Sequence, residues 1–264
     1  MKKLLCLVFI STSLFAQNLK VEYNITVNKI NDLASTTKSY TLEQTPFYSL
    51  FSINNIKDKK QFKHHEIANV IFDKDSVVGY IIGDDVVEFI YKEIYFKDFT
   101  KSALTYNFKT GYTLDGSIVQ ESLAIFDWEI EPSEDTIIAG YNCTKASTEF
   151  RGRQYIVYYT NEIANQGGPW KFDGLPGFIL RVESLDGYLL IEPVKIILNT
   201  SHFDIKNPFL SKKTIPFEKI KDVILDQDKN VVKKMRSRPN PPETISIGDA
   251  DLIEKLNMGV RVYE

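Results

Sequence analysis

Few residues in this 264-residue chain are placed to do chemistry. His64 and His65 stand beside Glu66, and His202 stands alone. Neighbouring residues on a strand point to opposite faces, so His64 and His65 would share a metal only from a loop, with Glu66 as a further ligand. Solvated histidines are the default reading. Asp84-Asp85 follows Gly83 and reads as a turn pair before a ligand pair. Asp226-x-Asp228-x-Asn230 has the opening spacing of a calcium loop. Val231 stands where that loop needs glycine, and Ser237 where it needs glutamate, so chance accounts for the match. Gly-x-Ser-x-Gly, His-Glu-x-x-His, Cys-x-x-Cys and phosphate-loop patterns are absent. The sequence therefore argues for a non-enzyme, with no catalytic set, no metal site and no cofactor. The alternative is a hydrolase or metal-dependent enzyme that gathers scattered Asp, Glu and His into a non-standard site.

The most distinctive stretch is Gly167-Gly168-Pro169-Trp170-Lys171-Phe172-Asp173-Gly174-Leu175-Pro176-Gly177-Phe178, with four glycines and two prolines. Pro176 presets φ for the second position of a turn and Gly177 accepts φ > 0 at the third, so Leu175–Phe178 is expected to be a type II turn. Each proline also holds the residue before it extended. Two readings stay open. The run could cap a strand and bury Trp170 and Phe172 against a sheet. It could equally be a stiff contact loop, because scaffolded loops often carry function. The candidate binding residues are then Gly168, Pro169, Trp170, Phe172, Gly174, Leu175, Pro176, Gly177 and Phe178. Tyr155, Tyr158 and Tyr159 are candidates to line an apolar groove beside them.

Around this run the motif order continues. Trp128 precedes Gly140-Tyr141-Asn142-Cys143-Thr144-Lys145-Ala146, then Gly152-Arg153, Glu162-Ile163 and Gly174-Leu175-Pro176-Gly177-Phe178. Over roughly Trp128 to Ile191 the chain resembles the GLPGLI family, secreted Bacteroidetes proteins of unestablished activity. Phe178, Tyr158 and Ala164 depart from the residues that the family pattern favours there. The resemblance implies export and no particular reaction. The Gly-Tyr-x-Cys hairpin also looks like part of the curved half-barrel of lipoprotein-sorting proteins, an analogy of fold only. It is what suggests an apolar or lipid-like ligand.

The amino terminus fits export by itself. Lys2 and Lys3 precede an apolar run from Leu4 through Phe15, and Ala16 suits the last residue of a leader. The run is too short to span a membrane, and no later segment is long enough. The expected organisation is a signal peptide at 1–16, a β domain at 17–200 and a C-terminal extension at 201–264 packing on it. The expected location is the periplasm or the exterior. Loss of Lys2 and Lys3 takes the net charge from −3 to −5, which gives no footing for a nucleic-acid partner. What remains is a lipid-like ligand or a protein partner at the outer membrane, the latter as an accessory subunit with no small ligand. Cys143 would be the one cysteine left, a small buried hydrophobe unable to staple the fold alone.

The elements that must position these residues are mostly strands. Leu19 to Val27 alternates apolar and polar with period two. Further strands are read at Phe47–Ile53, Val77–Ile82, Val86–Tyr91 and Leu123–Ile130. Tyr141–Phe150 and Gln154–Thr160 make a hairpin across Arg151-Gly152-Arg153. Phe178–Glu183 and Tyr188–Leu198 make another, and Pro193 marks an edge or a bulge. Short turns between about a dozen strands point to antiparallel pairing. The fold class expected is mainly β: a curved antiparallel sheet or half-open barrel, with a short helical region at Pro216–Arg238, in one piece or two.

Overall fold

The computed structural model describes residues 17–28, 35–54, 69–73, 76–81, 93–108, 117–198, 204–241, 243–247, 254 and 261–263. The leader, His64, His65, Glu66, Asp84-Asp85, His202 and the Val86–Tyr91 strand lie outside them.

Period-two alternation becomes strand where the sequence predicts it. β1 (Leu19–Asn28) turns Leu19, Val21, Tyr23 and Ile25 inward. It is followed by β2 (Ser35–Gln44), β3 (Tyr48–Ile53), β4 (Asn69–Asp73), β5 (Ser76–Ile81), β6 (Ile94–Asp98), β7 (Ala103–Phe108) and β8 (Ser117–Ser122). Then come β9 (Glu129–Ile138), β10 (Tyr141–Phe150), β11 (Arg153–Thr160), β12 (Phe178–Ser184), β13 (Leu189–Leu198) and β14 (Ile215–Pro216). The helix α1 (Ile220–Arg236), β15 (Thr244–Ile247) and β16 (Arg261–Tyr263) are the last of the described elements. Twelve strands form one sheet in the order β14-β8-β7-β6-β3-β2-β1-β13-β12-β11-β10-β9, and β16-β15-β5-β4 form a second. Among the described residues helix is confined to Phe217–Arg236, a share far below the roughly one-third of ordinary globular proteins.

The large sheet curls without closing into a barrel; its end strands are β14 and β9. Six strand spacings separate β6 from β11, about 29 Å along a flat sheet. Yet Tyr95 of β6 touches Trp170, Trp170 touches Phe172 and Phe172 touches Tyr155 of β11, with no ring separation above 6.2 Å. The two flanks therefore face one another across the segment that holds Trp170 and Phe172. Ile220 and Ile224 of α1 pack on Leu104, Tyr106, Phe108 and Val119 at the β7–β8 flank. On the opposite face, Ile205 and Phe209 cover Phe96.

Three local expectations need correction, and one open alternative is decided. Residues 124–128 are irregular and the strand begins at Glu129, because Phe126 and Trp128 leave the ladder to stack with each other over Phe172. The β10–β11 turn has two residues, since Phe150 pairs with Arg153. The helix is a single piece through Asp228-Lys229-Asn230: Asp228 is buried and accepts a hydrogen bond from Arg261 Nε at 2.5 Å. That pairing also leaves no calcium loop there. Pairing is not antiparallel throughout, because β14 joins β8 and β15 joins β5 in parallel. At Pro193 the register of β1 against β13 shifts between Glu22 and Tyr23, so the proline marks a bulge. A register shift between Thr144 and Lys145 puts both Cys143 and Ala146 inside; Cys143 is a buried free thiol.

Candidate functional site

The connection from β11 to β12, residues 161–177, folds back into the concave face of the sheet. Its entry runs alongside β12: Ile179 donates to Gly167 O at 2.8 Å. A Cβ on Gly168 would meet Ile179 Cβ at 2.7 Å, so only glycine lets the two segments lie this close. Phe172 N donates to Pro169 O at 3.1 Å and closes a turn. Trp170 sits inside that turn with φ +53°, a left-handed conformation that bulky residues rarely adopt and that the surroundings must enforce. The indole is rewarded by burial among Tyr95, Phe150 and Phe172. Trp128 Nε1 donates to Asp173 O at 2.8 Å and anchors the far end.

Beneath the turn lies a row of polar side chains in register: Gln44 of β2 pairs with Ser49 of β3, and Ser49 pairs with Lys97 of β6. Lys97 is 1 % exposed. Its ammonium donates to Gly168 O at 3.1 Å, Phe172 O at 2.5 Å and Asp173 Oδ2 at 3.0 Å. Three donors thus meet three oxygens of the loop, as a buried ammonium requires. Burial pulls the Lys97 pKa below the usual lysine value, and Asp173 opposes that shift. Gln44 Nε2 donates to Gln166 O at 2.6 Å. Ser49 faces Lys97 across the ladder, but the Lys97 donors are engaged by the loop. The pair is not arranged as a nucleophile and its base.

The next residue of the loop makes a second buried ion cluster on the other side. Lys171 Nζ donates to Glu121 Oε1 of β8 at 3.2 Å and to both carboxylate oxygens of Glu254 at 2.8 Å. Arg151, in the β10–β11 turn, pairs with the same two carboxylates. Two cations and two anions balance. Aromatic faces enclose them: Lys171 Nζ lies 3.8 Å from the Tyr106 ring centre, and the Arg151 guanidinium lies over the Phe150 and Phe217 rings. Burial pulls the Lys171 pKa down against the pull of Glu254 and Glu121. Burial would raise Glu121, but Lys171 and Arg151 outweigh it and hold that carboxyl below the usual glutamate range. Such a cluster holds charge in place and offers no nucleophile.

The structure brings the loop candidates together, but mostly inward. Gly168, Pro169, Trp170, Phe172, Leu175, Gly177 and Phe178 are buried; Gly174 and Pro176 are exposed. Gly177 does not have the positive φ of a type II turn. Its requirement is space: a Cβ would lie 2.3 Å from Thr160 O. The left-handed glycines of this run are Gly167, at φ +106°, and Gly174, at φ +92°. Tyr155 and Tyr159 are core residues, while Tyr158 points to the outer face beside Arg181. The three tyrosines therefore line no common groove, because period two sends Tyr158 away from its neighbours. Lys97, Lys171, Glu121, Arg151 and Glu254 escaped the sequence reading. Lysine and glutamate ordinarily read as surface, and the sole hint was Lys171 sitting between two aromatics.

A groove of about 580 Å³ runs beside this cluster at the β7–β8–β14 margin, with Lys101, Gln120, Glu121 and Thr214 among its walls. Among the described residues no group of three or more His, Cys, Asp or Glu is placed to hold a metal ion, and no helix is long and apolar enough to cross a membrane.

Comparison with known proteins assigns this chain no role. No family profile and no curated protein matches the chain. Solved structures of PNGF-II align with it: one covers 80 % of this chain and 33 % of that protein at 20 % identity and TM-score 0.49. A second covers 90 % and 36 % at 19 % identity and TM-score 0.48. The chain thus spans about a third of the length of the proteins that it resembles in structure.

Proposed function

We propose that this chain is an exported, non-enzymatic envelope protein of the GLPGLI type that acts by docking on a partner protein, with no small ligand held inside it. One observation carries the choice of partner over ligand. The concave face, where a curled sheet would hold an acyl chain, is occupied by the protein's own Trp170, Phe172 and Leu175, all at or below 3 % exposure. A ligand there would have to displace a segment anchored at Lys97, Trp128 and Lys171. The Gly-Pro run is on this reading the internal plug of the scaffold, and the contact surface lies elsewhere. Export rests on Lys2, Lys3, the apolar run that follows and Ala16; family membership rests on the motif order from Trp128 to Ile191.

Native mass spectrometry of the protein released from its own cell envelope tests this. The expected result is a mass beginning near Gln17, recovered in a stoichiometric complex with another protein. A retained small molecule of fixed mass, surviving gel filtration, would overturn the reading in favour of a ligand carrier.

A further inference from the structure

A second surface feature stands apart from the motif loop. On the outer face of the sheet, Phe209 and Ile205 pack with Phe96, Tyr48 and Leu50. The chain turns sharply at Phe209, where Lys212 N donates to its carbonyl at 2.9 Å. That turn carries Leu210 outward, 84 % exposed. Tyr48 belongs to the same cluster, and its neighbour Phe47 is 59 % exposed. Two large apolar side chains thus emerge beside one packed cluster. Single exposed apolar residues are ordinary on soluble proteins; here the surrounding charge is unusual for an acidic chain. Lys206, Lys212 and Lys213 flank Leu210 and are exposed. Lys206 is offset by Asp204 at 3.5 Å, while Lys212 and Lys213 have no carboxylate within ion-pair distance among the described residues. Lys101 stands on the neighbouring β6–β7 turn, which Phe99 N ties to Phe47 O at 3.0 Å; Asp98 offsets it at 3.4 Å, so the cationic rim is Lys212 and Lys213.

We propose that this face, with Leu210 and Phe47 as apolar wedges and Lys212 and Lys213 as the cationic rim, docks on an anionic lipid surface. Neither signal holds a protein on a bilayer by itself, and an apolar anchor beside a basic patch is the combination that does. A protein partner would also fit the apolar pair, but two adjacent lysines with no described carboxylate beside them are complementary to an anionic surface, and they are what favours lipid. The inference stands on residues outside the motif loop and does not depend on how that loop is used.

The test is co-sedimentation of the full protein, purified from its source cells, with vesicles of pure phosphatidylcholine and with vesicles containing about one-third phosphatidylglycerol. Binding is expected to the anionic vesicles and to fall with added salt. Leu210→Ser should weaken it about tenfold or more. Lys212→Gln with Lys213→Gln should weaken it about 25-fold, near fivefold per lysine. All these side chains are exposed, so unchanged melting temperatures would confirm that the variants fold. Equal binding to both vesicle types, no binding to either, or native binding by Leu210→Ser would each overturn the proposal. Capture of a protein at this face with no affinity for vesicles would assign it to a protein partner instead, and would overturn it equally.

Discussion

Removal of the Glu254 carboxylate should destabilise the whole domain, although Glu254 lies far along the chain from the sheet that it serves. Glu254 is 5 % exposed. It receives two charge-assisted hydrogen bonds from Lys171 and one from Arg151. In Glu254→Ala the buried cluster changes from neutral to one net positive charge, and Lys171 keeps only its contact to Glu121. Breaking a buried pair by deleting one partner costs about 3–5 kcal/mol. Because Glu121 remains against both cations, the lower end applies, about 3 kcal/mol. At roughly 2–4 °C per kcal/mol for a chain of this size, the melting temperature should fall by about 6–12 °C. Equilibrium urea unfolding gives the free energy directly. A double-mutant cycle with Lys171→Met separates the ion pair from packing. The double variant Lys171→Met/Glu254→Ala should be less destabilised than the sum of its singles by more than about 1 kcal/mol. If Glu254→Ala shifts stability by less than about 1 kcal/mol, or the cycle is additive within about 0.5 kcal/mol, the cluster does not hold the C-terminal region to the motif loop and the reasoning fails.

Gly177→Ala should destabilise through a steric clash. The new methyl would lie 2.3 Å from Thr160 O, beside the Thr160–Phe178 pair that ends the β11–β12 ladder, so a loss of about 1–3 kcal/mol is expected by urea unfolding; a neutral variant would show that the ladder end yields. Trp170→Ala deletes an indole at 3 % exposure and should lose about 3–5 kcal/mol; a loss below about 1 kcal/mol would mean that relief of the strained φ offsets the cavity. The Cys143 thiol is pushed up to about 11 by burial, so at pH 8 a disulfide reagent should label it far more slowly in the native protein than in denaturant, and equal rates would contradict its placement. Asp186 is held at about 2, where burial is outweighed by hydrogen bonds from Ser184 and Arg153. Its folded pKa lies below its unfolded value, so its contribution is fully present above about pH 4 and is lost as the pH falls toward 2. Asp186→Asn should flatten that part of a melting-temperature profile, and an unchanged profile would refute the assignment.

Local patterns decided much of this protein. Alternation alone determined β1, because a one-residue slip would turn Leu19, Val21, Tyr23 and Ile25 to solvent. The β10–β11 hairpin was legible from two strand-like runs around Arg151-Gly152. The helix was legible from Ile220, Ile224 and Met235 on one stripe and from Asp222 before Lys233, Lys234 and Arg236, an order that suits its dipole. The burial of Cys143 agrees with the ordinary place of a free cysteine in a protein interior.

What the sequence left open depended on partners distant along the chain. Whether the Gly-Pro run points outward or plugs the sheet is settled by Lys97, 76 residues before the Asp173 that it pairs with, and no local pattern announces a lysine that will meet three oxygens. Glu254 meets Lys171 across 83 residues. Gly177 shows the same limit at the scale of one atom: Pro-Gly suggested a turn with left-handed glycine, whereas the neighbouring strand end at Thr160 imposes the requirement. Periodicity reports which face of a strand is buried. It does not report how far a sheet curls, and the curl alone brings β6 and β11 within reach of one loop and fills the hollow from inside.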